Sequence, residues 1–215
     1  MNNLKIQLCG PSGIGKTTLA KHISEIKGIP FVDGSYSTLV PSTKSIKHKD
    51  MLNRDPKEIY KEYIELVSQR TKAFNLDSYI SDRSFLDVLV YTIDNLSSKL
   101  ESCDIDFMNK LCKNMILENC SHLIFLEYPS RFISEIPIED NHKRITNPYY
   151  QWKISGLFTY ILKDLWKGYI RRSNDGSYRG ELISDSEDRT ITKVSIIPYW
   201  DFNLRLKIID NFLNS

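Results

Sequence analysis

The chain has 215 residues, and 41% of them are hydrophobic, which is typical of a single globular domain with a full core. The net charge is only +2, because 29 lysines and arginines oppose 27 acidic residues. Proteins that work on nucleic acid or on a membrane surface usually have a stronger basic bias, so we expect neither of these partners.

The sequence also contains no segment typical of export or of membrane insertion. No apolar run approaches the roughly 20 residues of a membrane helix, and the first residues lack a signal-peptide pattern. We therefore expect a cytoplasmic protein. The cysteines have no CxxC or Cys/His metal spacing, which predicts buried free thiols at Cys9, Cys103, Cys112 and Cys120.

Apolar segments of strand length alternate with amphipathic segments of helix length along the chain. The predicted strands cover residues 4–9, 29–32, 79–82, 122–127 and 194–197. The predicted helices include residues 17–27, 84–97, a face around 108–116, and 202–213. This alternation favours an α/β fold in which a five-stranded parallel sheet has helices on both faces.

Two further helices have clear start signals. Asp55-Pro56-x-Glu58 combines a capping side chain, a proline in the first turn and a glutamate three residues after the cap. Asn147-Pro148 is a second start of the same kind. Residues 168–190 are polar and contain the turn signal Asn-Asp-Gly at 174–176, so we interpret them as a polar insertion.

The stretch GPSGIGKT at residues 10–17 fits the phosphate-loop pattern GxxxxGK[ST] between a predicted strand and a predicted helix. The glycines let backbone N–H groups face a phosphate, and the N-terminus of the helix adds a partial positive charge. Lys16 can bridge the β- and γ-phosphates, and the Thr17 hydroxyl is a ligand type that Mg²⁺ accepts. We expect ATP to be bound by Gly10, Ser12, Gly13, Ile14, Gly15, Lys16, Thr17 and Thr18.

The segment after the third predicted strand narrows the class of P-loop protein. The chain has no NKxD-type segment for guanine and no apolar run that ends in Asp-Glu, which disfavours a GTPase and an ATP-driven machine. Instead the strand ends in YISDRS, with Arg83 directly after Asp82. An arginine there suits a second phosphate or a transferring phosphoryl group.

Three segments resemble nucleoside and nucleotide kinases. ISDRSFLDVLVYT (80–92) resembles the Asp-Arg motif of thymidylate kinases and the Glu-Arg-Ser motif of deoxynucleoside kinases. HLIFLEYPS (122–130) resembles the fourth strand of the same enzymes, and residues 137–162 are similar to the lid segment of ribosylnicotinamide-kinase-like ATPases. The resemblance implies a single P-loop kinase domain over residues 1–215, with a P-loop NTPase-type sheet and a lid at about 131–146.

The resemblance also implies roles for individual side chains. Asp82 would hold the water shell of Mg²⁺, and Arg83 would contact the acceptor phosphate or the transferring group. Arg144 would be the lid arginine that closes on the phosphates, with Lys143 and Arg131 as alternatives.

Asp33 follows the second predicted strand, at the sheet edge where open α/β proteins bind their ligands. In nucleoside and small-alcohol kinases a carboxylate here takes the proton of the acceptor hydroxyl. In monophosphate kinases an acid in this region orients the sugar instead.

These features predict a kinase that moves the γ-phosphoryl group of MgATP to a nucleoside monophosphate, in particular a deoxynucleotide. The alternative is a nucleoside or other small-alcohol kinase with Asp33 as the base. From another class, an NTP-binding regulator or a polynucleotide-end kinase is also compatible with the phosphate loop. The expected partner is a small nucleoside or nucleotide, and the sequence leaves a homodimer open.

Overall fold

A computed structural model describes residues 3–40, 53–128, 147–184 and 190–214. The sheet consists of β1 (Lys5–Cys9), β2 (Phe31–Val32), β3 (Tyr79–Ser81), β4 (His122–Leu126), β5 (Tyr169–Arg172), β6 (Tyr178–Ile183) and β7 (Ile191–Ile197). Their order in space is β2-β3-β1-β4-β7-β6-β5. All pairs from β2 to β7 in this order are parallel, so the predicted parallel α/β sheet is confirmed.

The expected number of strands was too low, since the sheet has seven strands rather than five. The two additional strands, β5 and β6, come from the segment interpreted as a polar insertion and pair antiparallel with each other. β6 also pairs antiparallel with β7 through six residue pairs, from Tyr178–Ile196 to Ile183–Ile191. Backbone pairing therefore extends the sheet there, although the side chains of β5 are largely exposed.

Seven helices are described, and they lie on both faces of the sheet. They are α1 (Lys16–Lys27), α2 (Tyr36–Leu39), α3 (Pro56–Ala73), α4 (Phe85–Leu96), α5 (Ser102–Asn119), α6 (Pro148–Tyr160) and α7 (Phe202–Leu213). The predicted caps are present, because Asp55 accepts a hydrogen bond from the Lys57 amide and Asn147 accepts one from the Tyr149 amide. A π-helical turn, Ile161–Leu165, continues α6.

The core is divided by the sheet into two clusters. In β4, Leu123 and Phe125 pack into the cluster that contains α3, α4, α5 and α6. The alternate residues Ile124 and Leu126 pack into the smaller cluster with α1 and α7. A strand buried on both faces in this way is the pattern expected of a parallel sheet between two helix layers.

The cysteine prediction is confirmed in three of four positions. Cys9, Cys112 and Cys120 are buried free thiols, whereas Cys103 is exposed. Cys103 lies in the first turn of α5, on a side of the helix that faces away from the core. None of the helices in the described ranges combines the length and the apolar character that crossing a membrane would require.

Candidate active site

The phosphate loop joins β1 to α1 and follows the backbone path that its glycines predict. Gly10, Gly13 and Gly15 all have positive φ angles. At Gly10 a Cβ atom would come within 2.5 Å of the carbonyl oxygen of Leu126, at the end of β4. Only glycine permits this close approach, and the loop is thereby held against the carboxyl end of the neighbouring strand.

Lys16 is buried inside the curl of this loop. Its ammonium group donates to the carbonyl oxygens of Gly10 and Pro11, both at 2.6 Å. Burial, together with repulsion from Arg83, lowers the pKa of Lys16 to about 7. A bound phosphate would favour the charged form, so the side chain suits an anionic ligand.

Thr17, in the first turn of α1, and Asp82, directly after β3, bring two side-chain oxygens together. The Thr17 hydroxyl donates to Oδ2 of Asp82 at 2.5 Å, and the Gly34 amide donates to Oδ1 of the same carboxylate at 3.3 Å. Hydroxyl and carboxylate oxygens fit Mg²⁺, which usually keeps several waters and takes few protein ligands. Within the described parts of the chain no cluster of three His, Cys, Asp or Glu side chains could hold a metal.

Asp33 lies at the carboxyl end of β2, and its side chain is exposed. Its two carboxylate oxygens accept hydrogen bonds from the Ser35 amide and from the Thr38 hydroxyl, both at 2.9 Å. Partial burial opposes ionisation, but these hydrogen bonds and the charge of Arg83 lower the pKa of Asp33. The side chain is thus an accessible, ionised carboxylate in a fixed orientation.

Arg83 pairs with Asp87, whose carboxylate lies 3.2 Å away on the first turn of α4. Asp87 is buried and also accepts from the amide and the hydroxyl of Ser84, which caps the helix. Burial disfavours the charge on Arg83, but Asp87 and its other neighbours outweigh this effect and raise the pKa of the guanidinium. Arg83 is therefore a fixed cation beside Asp82.

Arg70 connects the segments that follow β2 and β3. From α3 its buried guanidinium donates to the carbonyl oxygen of Gly34 at 2.7 and 3.0 Å, and it also donates to the Ser84 carbonyl. Gly34 itself packs tightly, since a Cβ atom would come within 2.8 Å of the Ser81 hydroxyl and 2.9 Å of the Arg83 side chain. Arg70 therefore ties the backbone next to Asp33 to the backbone next to Arg83.

The structure brings most of the predicted site residues to one edge of the sheet. Asp33, Asp82 and Arg83 directly follow β2 and β3, and Lys16 and Thr17 begin α1 after the loop that follows the adjacent strand β1.

The remaining predicted residues differ in what their side chains can reach. Ser12 is half-buried in the loop, and Thr18 is exposed on the first turn of α1. The Ile14 side chain is buried in the core, so only its backbone can meet a nucleotide. Arg144, Lys143 and Arg131 lie outside the described residues.

Three residues that support the site were not predicted from the sequence: Arg70 and Asp87, and also Arg205, whose Nη1 donates to the carbonyl oxygen of Ile14 in the phosphate loop. The Ser84-x-x-Asp87 spacing is a capping box and could have identified Asp87. Arg70 and Arg205 each occupy a position on the apolar face of their helix, which is an unusual place for an arginine. A charge on the buried face was the available signal.

Comparison with solved structures supports the assignment of the fold. Deoxyadenosine kinase from M. mycoides with bound dATP is 18% identical, has a TM-score of 0.59, and is matched over 99% of this chain and 100% of that chain. The same kinase with dCMP and a flexible dCDP has a TM-score of 0.62 at 18% identity and the same coverage. NadR protein in complex with NR matches 76% of this chain and 43% of its own, with 13% identity and a TM-score of 0.55. No curated protein matches the chain.

One protein family matches the sequence of this chain. The family described as an AAA domain matches residues 5–173, which include the phosphate loop and the ends of β2 and β3. The match covers well over half of the 215 residues. The chain therefore belongs to the AAA domain family, with the fold of a P-loop kinase.

Proposed function

We propose that the protein is an ATP-dependent kinase that transfers the γ-phosphoryl group to a nucleoside. The observation that carries this proposal is Asp33, an exposed and ionised carboxylate at the same sheet edge as Lys16 and the Thr17–Asp82 pair. A carboxylate in this position can accept the proton of an attacking hydroxyl group. The likeness to a deoxyadenosine kinase over nearly the whole chain supports a deoxynucleoside as the acceptor.

Each residue would have a separate task in this reaction. Lys16 would hold the β- and γ-phosphates of the donor, and Thr17 with Asp82 would hold Mg²⁺. The metal, when bound with ATP, would neutralise charge on the phosphates. Asp33 would take the proton from the acceptor hydroxyl. As it does so, the oxygen of that hydroxyl would bond to the γ-phosphorus. The bond between the γ-phosphorus and the oxygen that bridges it to the β-phosphate would break, and ADP would leave.

A nucleoside monophosphate is the second candidate acceptor, and Arg83 favours it. Its planar guanidinium fits two phosphate oxygens, and the ion pair with Asp87 fixes its position. A monophosphate oxygen is already ionised at neutral pH and needs no base. The two acceptors therefore differ in whether catalysis depends on Asp33 or on Arg83.

A phosphotransfer screen tests the proposal. The protein is incubated with MgATP and each nucleoside or monophosphate in turn, and products are separated by chromatography, with Lys16→Met as the inactive control. We expect a deoxynucleoside to give the highest kcat/KM. Binding of MgATP without phosphorylation of any of these acceptors would support an NTP-binding regulator and overturn the kinase proposal.

A further inference from the structure

Arg205 connects the last helix to the phosphate loop. It lies on α7 with 3% of its surface exposed, and its Nη1 donates to the carbonyl oxygen of Ile14 at 2.7 Å. Ile14 is 191 residues away in the sequence and directly precedes Gly15 and Lys16. A buried arginine therefore contacts the backbone of the loop at the point where the loop becomes a helix.

The geometry of the peptide bond gives this contact a consequence. The unit between Ile14 and Gly15 is planar and trans, so its C=O and its N–H point in opposite directions. Because Arg205 holds the Ile14 carbonyl toward itself, the Gly15 N–H points away from Arg205. That N–H is one of the loop amides expected to face a phosphate.

The other contacts of Arg205 hold the guanidinium in this orientation. Its Nε donates to the carbonyl oxygen of Tyr199 at 2.5 Å, and its central carbon lies 5.2 Å from the centre of the Trp200 ring. Burial lowers the pKa of Arg205 to about 10, which still leaves the side chain charged at neutral pH. Nη2 is buried and has no hydrogen-bond partner among the described residues.

Tyr199 extends the connection to the hairpin formed by β5 and β6. Its hydroxyl donates to the carbonyl oxygen of Asp175 in the hairpin turn at 3.0 Å. The turn packs closely against it, since a Cβ atom on Gly176 would come within 1.9 Å of the hydroxyl. The Asp175 carboxylate pairs in turn with Arg179 at 2.5 Å. Hydrogen bonds thus link the hairpin, the end of β7 and the phosphate loop.

We propose that Arg205 is a positioning residue for the nucleotide donor. Tyr199, which is hydrogen-bonded both to Arg205 and to the turn of the β5–β6 hairpin, helps to hold Arg205 in place. Arg205 acts through the Ile14–Gly15 peptide unit and not by contact with the acceptor. This inference rests on the proposed function, because it requires that the loop binds a nucleoside triphosphate. Loss of Arg205 should therefore weaken donor binding and leave acceptor binding unchanged.

Four variants test the inference: Arg205→Met removes the guanidinium, Arg205→Lys keeps the charge, Tyr199→Phe removes only the bond to the hairpin, and Lys207→Met is an exposed control on the same helix. MgATP binding is measured by calorimetry, and the KM values for ATP and for the acceptor are measured separately. We expect Arg205→Met to raise the Kd for MgATP about tenfold or more, as for loss of a hydrogen bond from a charged group. The Kd of Arg205→Lys for MgATP should lie between those of Arg205→Met and the wild type.

Tyr199→Phe should raise the Kd for MgATP by a smaller factor than Arg205→Met, and Lys207→Met should leave it unchanged. If Arg205→Met is too unstable to assay, Arg205→Lys serves as the test, and it should raise the KM for ATP more than the KM for the acceptor. Wild-type MgATP affinity in a folded Arg205 variant, or an equal rise in both KM values, would overturn the inference. A wild-type protein that fails to bind MgATP would instead refute the proposed function itself.

Discussion

The Thr17 hydroxyl donates to the Asp82 carboxylate across 2.5 Å, which joins the first turn of α1 to the end of β3. The Gly34 amide donates to the other oxygen of Asp82, so the segment after β2 is tied to the same carboxylate. The Asp82 side chain thus connects the first turn of α1, the segment after β2 and the end of β3, and it does so by accepting a hydrogen bond at each of its carboxylate oxygens.

Asp82→Asn should reduce phosphotransfer about 10- to 100-fold, the range found when residues that support a bound metal are replaced. The amide keeps the shape of the side chain but removes the charge expected to stabilise Mg²⁺. A Mg²⁺ titration of the rate should show a raised half-saturation concentration. Asp77→Asn, an exposed aspartate before β3, is the control. Unchanged Mg²⁺ dependence in Asp82→Asn would exclude the role in metal binding.

Lys16 should take up a proton when MgATP binds. Its pKa is about 7 without phosphate, because burial opposes the charge, and a phosphate should raise it. Between the two pKa values the bound protein carries more protons than the free protein, so uptake should grow as the pH rises from 6 to 8. Calorimetry in buffers of different ionisation enthalpy measures this uptake.

Two variants check the assignment of that proton. Lys16→Arg, which stays charged in both states, should bind without the uptake. Lys21→Met, which replaces an exposed lysine on the same helix, should retain the uptake. Uptake that persists in Lys16→Arg would assign the proton to another group.

Lys16→Ala should lose turnover while the fold remains intact.

Asp33→Asn should lower kcat for a nucleoside about 100-fold or more, since the amide cannot accept the proton. For a monophosphate acceptor the loss should fall on KM instead. Unchanged values of both constants would rule out either role for Asp33.

The hydrogen bond from Thr38 to Asp33 gives a second, finer test. This bond helps to lower the pKa of Asp33, so Thr38→Val should raise that pKa. A general base must be ionised, and activity falls as the pH drops through its pKa. The acid limb of the kcat profile should therefore move to higher pH in Thr38→Val and stay in place in Ser37→Ala. An unmoved limb would mean that Asp33 does not limit the rate.

Arg83→Lys should cost a monophosphate acceptor about 2 to 3 kcal/mol in kcat/KM, because lysine cannot bond two phosphate oxygens in one plane. A nucleoside acceptor should lose much less, and ATP affinity should barely change. Steady-state kinetics at saturating ATP with both acceptors separates the two cases. Equal losses in ATP binding and in turnover would show that Arg83 contacts the ATP donor rather than the acceptor.

Arg70→Met should destabilise the fold by about 3 kcal/mol, since the buried carbonyls of Gly34 and Ser84 would lose their donor. Urea denaturation measures this change, with the exposed Lys72→Met on the same helix as the control. Equal stability of the two variants would show that other donors replace Arg70.

The parts of the site that follow from local sequence were predictable. The phosphate loop is one continuous motif, and Asp82 and Arg83 are neighbours at the end of an apolar strand. Arg70 and Arg205 were not predictable as supports, because their partners Gly34 and Ile14 are 36 and 191 residues away. Only the packing of the helices on the sheet brings these groups together.

The β5–β6 hairpin was missed for a different physical reason. The side chains of β5 are mostly exposed, so the strand lacks the alternation of apolar and polar residues that usually marks one. Its partner β6 is held to β7 by backbone hydrogen bonds, which leave little trace in the pattern of side chains. The turn at Gly176, with φ of +81°, was the one part of the hairpin that the sequence indicated.

The contact between Ile14 and Arg205 also sets an order of events during synthesis. A ribosome adds about 5 to 20 residues per second, so the 191 residues between these partners take about 10 to 40 s to make. During that time the phosphate loop has left the ribosome, but its anchor does not yet exist. With Arg205 in the proposed positioning role, the nascent chain should acquire full affinity for nucleotide only after α7 has been made and has docked.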